Sequence, residues 1–559
     1  MRTASRARFA TPTGPVVGLV FWFASLTPTL VPRGWIVQGV TGGVCLAIGY
    51  GLGALLDRVM ARTMHRRVER RAAGNAARFA AVIGALAVSG AGAFAWATWQ
   101  DEARDLVGMP HLEWWEGPPM VVLSLVVAIG LVRIGRASGR WLWRAARAGR
   151  RRASAGRWLA TASVAVAILV VMSGQIVVRP FVAAMTGVYW ALDQGTNPWT
   201  EPTNLPTVSG SGSSLIAWDT MGRWGRDFSA GVTSHAELRA FHGPEAAVRD
   251  PVRVFVGMES ADTIEERAAM AVRELDRAGG FDRRVLVVWI PAGSGWMDPN
   301  AARTLELLHA GDSAIVAIQY SVLPSFFSLV VDSSQARRAG EALFEAVHER
   351  WSSLPAHRRP RLIVFGASLG AAGAESPFVG RDAAESAANF IGRADGALIV
   401  GSLGWNPILR QLTEARERGS PMWQPRYGDG RTVRFITGAG WGRVHSPWDP
   451  APVIYLQHPT DPVGYLSLDQ LWSPPAWMAE PRGHGIPPRT GWFPIVSTVQ
   501  AVADLSFSAS LPSGFGHDYR VDYADAFARV VPPPAWTADD TARLEAHLAA
   551  ETRTAAGMR

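Results

Sequence analysis

Leu362-Ile363-Val364-Phe365-Gly366-Ala367-Ser368-Leu369-Gly370-Ala371-Ala372 is the stretch that decides the fold. Four apolar residues run straight into Gly-x-Ser-x-Gly, and small, helix-compatible residues run out of it. That order reads as a buried strand, a sharp turn and a helix. Two glycines around a serine are common by chance, so the flanking strand and helix give the string its weight. The turn strains its central residue, and the glycines let neighbouring chain approach closely. The serine then projects at a helix N-terminus, where the peptide dipoles favour a developing negative charge. Ser368 is therefore the candidate nucleophile; the plainer reading is a tight structural turn.

Working outward, Val252–Val256, Val285–Ile290, Ala314–Gln319, Leu362–Phe365, Ala397–Gly401 and Val453–Gln457 read as strands. Amphipathic stretches separate them: Thr263–Ala278, where Thr263 and Glu266 have capping-box spacing, and Gln335–Trp351. Continuous apolar strands alternating with helices predict a mostly parallel sheet with helices on both faces. Functional residues in such a sheet sit just past the C-terminal ends of strands. Asp461 occupies that place in Gln457-His458-Pro459-Thr460-Asp461-Pro462, as a candidate acid or, more plainly, as a turn cap. His517 lies in Gly514-Phe515-Gly516-His517-Asp518-Tyr519 and is the candidate base, since imidazole titrates near neutrality. His458, three residues before Asp461, is its rival and reads better as a support for the acid loop. An oxyanion hole needs two backbone N–H groups. The candidates are Leu369, directly after the serine, and Gly293, Ser294 and Gly295 in the loop after Val285–Ile290. That Gly-x-Gly lacks the Gly-Lys-Ser/Thr ending of a phosphate loop, which argues against nucleotide binding.

The first third of the chain has a different character. Residues 1–157 hold 21 Arg against 7 Asp or Glu, a local +14; the whole chain is +8, so the remainder is −6. The Arg clusters alternate with long apolar runs, which excludes a nucleic-acid reading and points to a bilayer. Val16–Val31, Trp35–Leu56, Phe79–Trp99 and Trp158–Val178 approach or reach the length of a membrane span, and Pro118–Val132 is shorter. Arg-rich loops stay cytoplasmic, whereas the loop with Asp101, Glu102, Asp105, Glu113 and Glu116 is acidic. About five spans satisfy these loops and put the C-terminal domain outside the cytoplasm, on a multi-pass plasma-membrane protein. The expected domains are a transmembrane helical anchor over 1–180, a connector over 181–250 and a catalytic domain over 251–559. Inserted cap segments are expected near 406–450 and 472–494. The single cysteine, Cys45, permits neither an intramolecular disulfide nor a Cys-based metal site. No metal and no cofactor is expected.

The residue order Ser368, Asp461, His517 is that of α/β-hydrolases rather than of the other triad lineages. The chain as a whole resembles actinobacterial multi-span membrane proteins with a C-terminal α/β-hydrolase domain. The resemblance is carried by Ser25–Arg33, Gly293-Ser294-Gly295-Trp296, Gln319-Tyr320-Ser321, the serine turn, Gln457–Pro462 and Gly516-His517-Asp518-Tyr519. In that family's pattern the residue before the serine is often Glu and the histidine loop often Gly-His-Gly-His. Here they are Ala367 and Gly514-Phe515-Gly516-His517, and neither departure removes a triad atom. The resemblance implies a hydrolase fold and a triad. The expected activity is hydrolysis of a carboxylic ester or thioester, of lipidic acyl substrates, by a membrane-anchored serine hydrolase. An acyltransferase with a non-water acceptor and a non-catalytic membrane scaffold are the alternatives. The expected partners are the bilayer and the acyl substrate.

Overall fold

The computed structural model describes residues 13–63, 75–150, 179–332, 334–437, 448 and 452–557. Seven strands form one sheet: β1 (Val252–Val256), β2 (Val285–Ile290), β3 (Ser313–Ile318), β4 (Arg361–Ala367), β5 (Gly396–Val400), β6 (Val433–Ile436) and β7 (Val453–Leu456). Their spatial order is β1-β3-β2-β4-β5-β7-β6, and every neighbouring pair is parallel. Every residue of β1, β2, β3, β5 and β7 is buried, as strands covered on both faces require. The crossovers are helices with legible ends. Ile264–Ala278 starts at a capping box between Thr263 and Glu266 and stops at Gly279, in the left-handed region at φ 71. The sequence-predicted strands all appear.

β6 was not expected. It lies inside the stretch 406–450 read as a cap, which also supplies the helix Pro407–Glu414; residues 438–447 and 449–451 lie outside the described set. Val433-Arg434-Phe435-Ile436 is short and interrupted by an arginine. Such a strand is tolerated at the sheet's edge, where Arg434 stays half-buried.

The chain divides into two units: Met1–Gln175 with Ser467–Pro512, and Ile176–Leu466 with Ser513–Arg559. The second holds the sheet. It also takes in the connector, which forms the helices Arg179–Gln194, Gly222–Ala230 and His235–His242 and bridges β1 through Val208 and Arg253. The first unit holds α1 (Thr13–Ser25), α2 (Trp35–Thr63), α3 (Asn75–Val107), α4 (Gly117–Arg150) and the Trp/Pro-rich stretch 472–494. Trp22, Leu26, Trp96 and Met120 form its core.

The expected count of about five spans does not stand. Among the described residues two helices are long and apolar enough to cross a bilayer, Trp35–Met60 on α2 and Gly117–Arg140 on α4. α1 has 13 residues, about 20 Å of helix against a hydrocarbon core of about 30 Å. The described part of α3 supplies no such span, and Trp158–Val178 lies outside the described residues. The odd count that placed the C-terminal domain outside the cytoplasm lapses with it.

The turn Ser25–Arg33 is held by a buried polar knot within the first unit. Gln500 and Gln38 donate to the Ser25 carbonyl, at 3.1 and 3.0 Å. Asp504 accepts from the Thr29 hydroxyl at 2.9 Å and from the Leu30 and Val31 N–H groups, facing the buried Arg33. Asp504→Ala strips three donors of their acceptor and leaves Arg33 without its counter-charge. The expected loss is about 2–4 kcal/mol, read as a lower thermal midpoint of the solubilised protein. An unchanged midpoint would show that the turn holds itself.

Candidate active site

Ser368 stands between the last residue of β4 and the first of the helix Leu369–Glu375, at φ 57 and ψ −125. Positive φ at a non-glycine residue costs about 1–3 kcal/mol. The strain persists because its surroundings leave no alternative. The Ser368 N–H donates to the Val400 carbonyl at 2.9 Å. At Gly370 a Cβ would lie 2.2 Å from the Ile290 carbonyl oxygen, so the helix starts hard against the end of β2. The predicted strand–turn–helix is what forms.

Asp461 follows β7 and is fully buried; its Oδ2 lies 2.7 Å from His517 Nδ1. The Tyr519 hydroxyl donates to the same oxygen at 2.6 Å, and the Val463 N–H donates to Oδ1 at 3.0 Å. One oxygen of Asp461 thus caps the turn while the other faces the imidazole. Nδ1 is thus occupied, while Nε2 has no partner among the described residues. Burial pulls the His517 imidazole down, but the charge and hydrogen bond of Asp461, with Asp518 adding, outweigh it and raise its pKa above the ordinary 6.5. Gly401, at φ 53 after β5, makes room for the ring: a Cβ there would lie 2.5 Å from His517 Cε1. Val400 and Gly401 thereby tie Ser368 and His517 to one strand end. The Ser368 hydroxyl forms no hydrogen bond to His517 in this structure; such bonds commonly tighten only on substrate binding.

His458, the rival base, is buried elsewhere in the arrangement. Its Nδ1 meets the Gly516 carbonyl at 2.9 Å, its Nε2 meets Asp522 Oδ2 at 3.0 Å, and its ring stacks on Tyr519 at 4.1 Å. It fastens the histidine loop to the acid loop, aided by the Gly516 N–H donating to Thr460 Oγ1 at 2.8 Å.

In the loop after β2, two of the three candidate N–H groups are already bonded within the fold. The Gly293 N–H is committed to Ser325 Oγ at 3.1 Å and the Gly295 N–H to the Ala292 carbonyl at 2.8 Å. Among the described residues the Ser294 N–H has no acceptor, and the Leu369 N–H, in the first turn of its helix, has none within it. Sequence reasoning missed what holds this loop. Gln319, just past β3, donates to the Ser294 carbonyl at 3.0 Å and to Asp193 Oδ2 at 3.1 Å. Asp193 is the buried end of the helix Arg179–Gln194, whose last carbonyls, with that of Gly195, accept from Arg226 Nη2 at 2.6 to 3.0 Å. Gln319 lay within a motif of the resemblance; nothing in the sequence marked Asp193.

A strained serine at a strand–helix junction and a buried Asp–His pair lie past the C-terminal edge of a parallel sheet, the place and residue types that an acyl-transfer site requires. Residues 252–544 match the model of the alpha/beta-hydrolase family. The chain belongs to the alpha/beta-hydrolase family. Residues 26–232 match the model described as that family's N-terminus. No curated protein and no solved structure matches the chain. Among the described residues of this hydrolase, no group of three or more His, Cys, Asp and Glu is placed to hold a metal ion.

At the far end of the serine helix Glu375 is buried and accepts from Ser402 Oγ at 2.6 Å. Burial pushes its carboxyl up from 4.5 to about 7, against hydrogen bonds from Ser402 and Asn406. The folded state thus favours the protonated acid. That contribution is full below pH 4.5, the ordinary value, and is lost as pH rises through about 7. Relative to Glu375→Gln, the wild type should lose up to roughly 3 kcal/mol across this window, seen by comparing thermal midpoints at pH 5 and pH 8. Parallel midpoints would exclude the buried acid as the cause. At the histidine, Asp461→Asn removes the larger upward influences and leaves burial opposed only by the smaller one of Asp518. Histidine NMR titration should move His517 from above 6.5 to below it; an unmoved titration would deny the pairing.

Proposed function

We propose that this protein is a membrane-anchored serine hydrolase that cleaves a carboxylic ester or thioester, of lipidic acyl substrates, through Ser368, His517 and Asp461. The observation that carries this is Ser368 at positive φ on the strand–helix turn, with the Asp461–His517 pair fastened to the same β5 end. In this reading His517 Nε2 takes the Ser368 proton as Oγ attacks the substrate carbonyl. Asp461 holds the imidazole in the tautomer that leaves Nε2 free and stabilises its charged form. The oxyanion rests on the Leu369 N–H and on Ser294, the one residue of the β2 loop triplet whose N–H is uncommitted. The alcohol or thiol leaves with the proton from His517, and water releases the acyl group by the same route in reverse.

The anchor reading is supported by the two apolar helices and by what they expose. Ile36, Val40, Leu55 and Leu56 on α2, and Val122, Val126, Ile129 and Ile134 on α4, are all more than two-fifths exposed. Apolar residues turned outward in such number suit a bilayer rather than water. A site held near a membrane meets acyl lipids at high local concentration, which supports the choice of substrate class.

Labelling of solubilised protein with a fluorophosphonate probe tests the nucleophile. Wild type should label and Ser368→Ala should not, and Asp461→Asn should slow labelling by about 10³–10⁴-fold. Since the base must be neutral, the rate should climb with pH through a pKa above 6.5, the direction in which Asp461 moves His517. Folded wild-type protein that fails to label would sink the proposal and leave a hydrolase fold serving as a scaffold. Cleavage of short soluble esters with indifference to acyl lipids in micelles would remove the lipid specificity alone.

A further inference from the structure

The β2 loop ends in Trp296, and Trp296 forms one wall of a cavity of about 300 Å³ in the sheet-bearing unit. Trp199 and Trp224 line it too, together with Thr200, Asp227 and Phe228. Trp199 is 72% exposed and Trp296 38%. Indoles left this open are costly in water and are characteristic of recognition surfaces. None of the three indole N–H groups has an acceptor among the described residues, so each is a donor at hand. Asp227 accepts from Asn197 Nδ2 on one oxygen and from Thr200 Oγ1 on the other. A carboxylate has about four acceptor positions, so capacity remains on both oxygens.

The chemistry of the lining selects the ligand. An acyl chain would have to dry out a carboxylate and a hydroxyl for no return. A cation finds the Trp224 face taken, since the Arg223 guanidinium already covers it at 5.3 Å, and Arg253 in the lining is neutralised by Glu306 at 2.6 Å. A neutral ring with apolar C–H faces and a rim of hydroxyls uses everything on offer: indole faces, N–H donors and carboxylate acceptors. We propose that this pocket binds a sugar ring, the alcohol part of an acylated sugar. Its role rests on the hydrolase reading, because the loop carrying Trp296 also carries Ser294 and begins where β2 abuts the serine helix. Binding itself does not depend on catalysis.

The test uses full-length Ser368→Ala protein in lauryldimethylamine oxide, a detergent without sugar, titrated with methyl β-D-glucopyranoside while tryptophan emission is followed. A saturable change is expected, lost in the Ser368→Ala/Trp199→Ala protein; Trp199 is exposed enough that its removal spares the fold. With Ser368 intact, Trp199→Ala should raise KM for 6-O-octanoylglucose at least about tenfold and leave p-nitrophenyl octanoate within about twofold. Saturation by sodium hexanoate but not by the glucoside would overturn the proposal in favour of an acyl pocket. A glucoside response that survives Trp199→Ala, or no response, would overturn it as well. Glucoside binding to a protein whose wild type never labels with fluorophosphonate would keep the pocket and sink the hydrolase; labelling without glucoside binding would do the reverse.

Discussion

Ser368 sits at φ 57 because β4 must turn into a helix within one residue, with the end of β2 on one side and β5 on the other. The rest of the site is arranged around that constraint. The helix can begin against the Ile290 carbonyl only because residue 370 has no side chain, and the imidazole can reach the same strand end only because residue 401 has none. The all-parallel sheet supplies the geometry: its strands end together, so the loops after β2, β4, β5 and β7 gather at one edge. The cost of the strained serine is borne by a sheet in which both neighbours of β4, β2 and β5, are wholly buried.

Much of this was legible in the sequence, because the signals are local. Six of the seven strands were read from their apolar content, β1 despite Arg253 in its middle; β6, four residues with an arginine inside, was read as part of a cap segment. Ser368 is readable from its own neighbours, and Asp461 and His517 from where their loops fall relative to strands. Longer-range commitments were not readable. Gln319 reaches Asp193 across 126 residues, and only the folded structure shows that the Gly293 and Gly295 N–H groups are already spent. Tyr519 stood in a motif of the resemblance with no role given to it, and it shares Asp461 Oδ2 with His517. Candidate spans were overcounted because apolar content was read as span length. The helix containing most of Val16–Val31 ends at Ser25, where the chain turns under a polar knot instead of continuing across.

His517 and Glu375 show how one environment drives two groups in one direction by different means. Burial opposes charge on both. Glu375 meets neutral hydroxyl and amide partners, so desolvation prevails and the acid keeps its proton. His517 meets a carboxylate, so attraction prevails and the imidazole holds its proton more tightly. Both ends of the serine helix are thus biased towards protonation, one by the absence of a counter-charge and one by its presence.

Between Asp461 and His517 the chain leaves the sheet-bearing unit at Leu466 and rejoins it at Ser513, having spent Ser467–Pro512 in the unit of the N-terminal helices. Asp461 and His517 are therefore separated along the chain by an excursion into another body. No single cut divides the two units. A fragment starting at the first strand would keep Ser368, Asp461 and His517 but carry the excursion without the helices it packs with, its Gln500 and Asp504 stripped of the turn they hold. In engineering terms the sheet has no detachable fragment: the two units alternate along the sequence, and neither is one continuous stretch of chain.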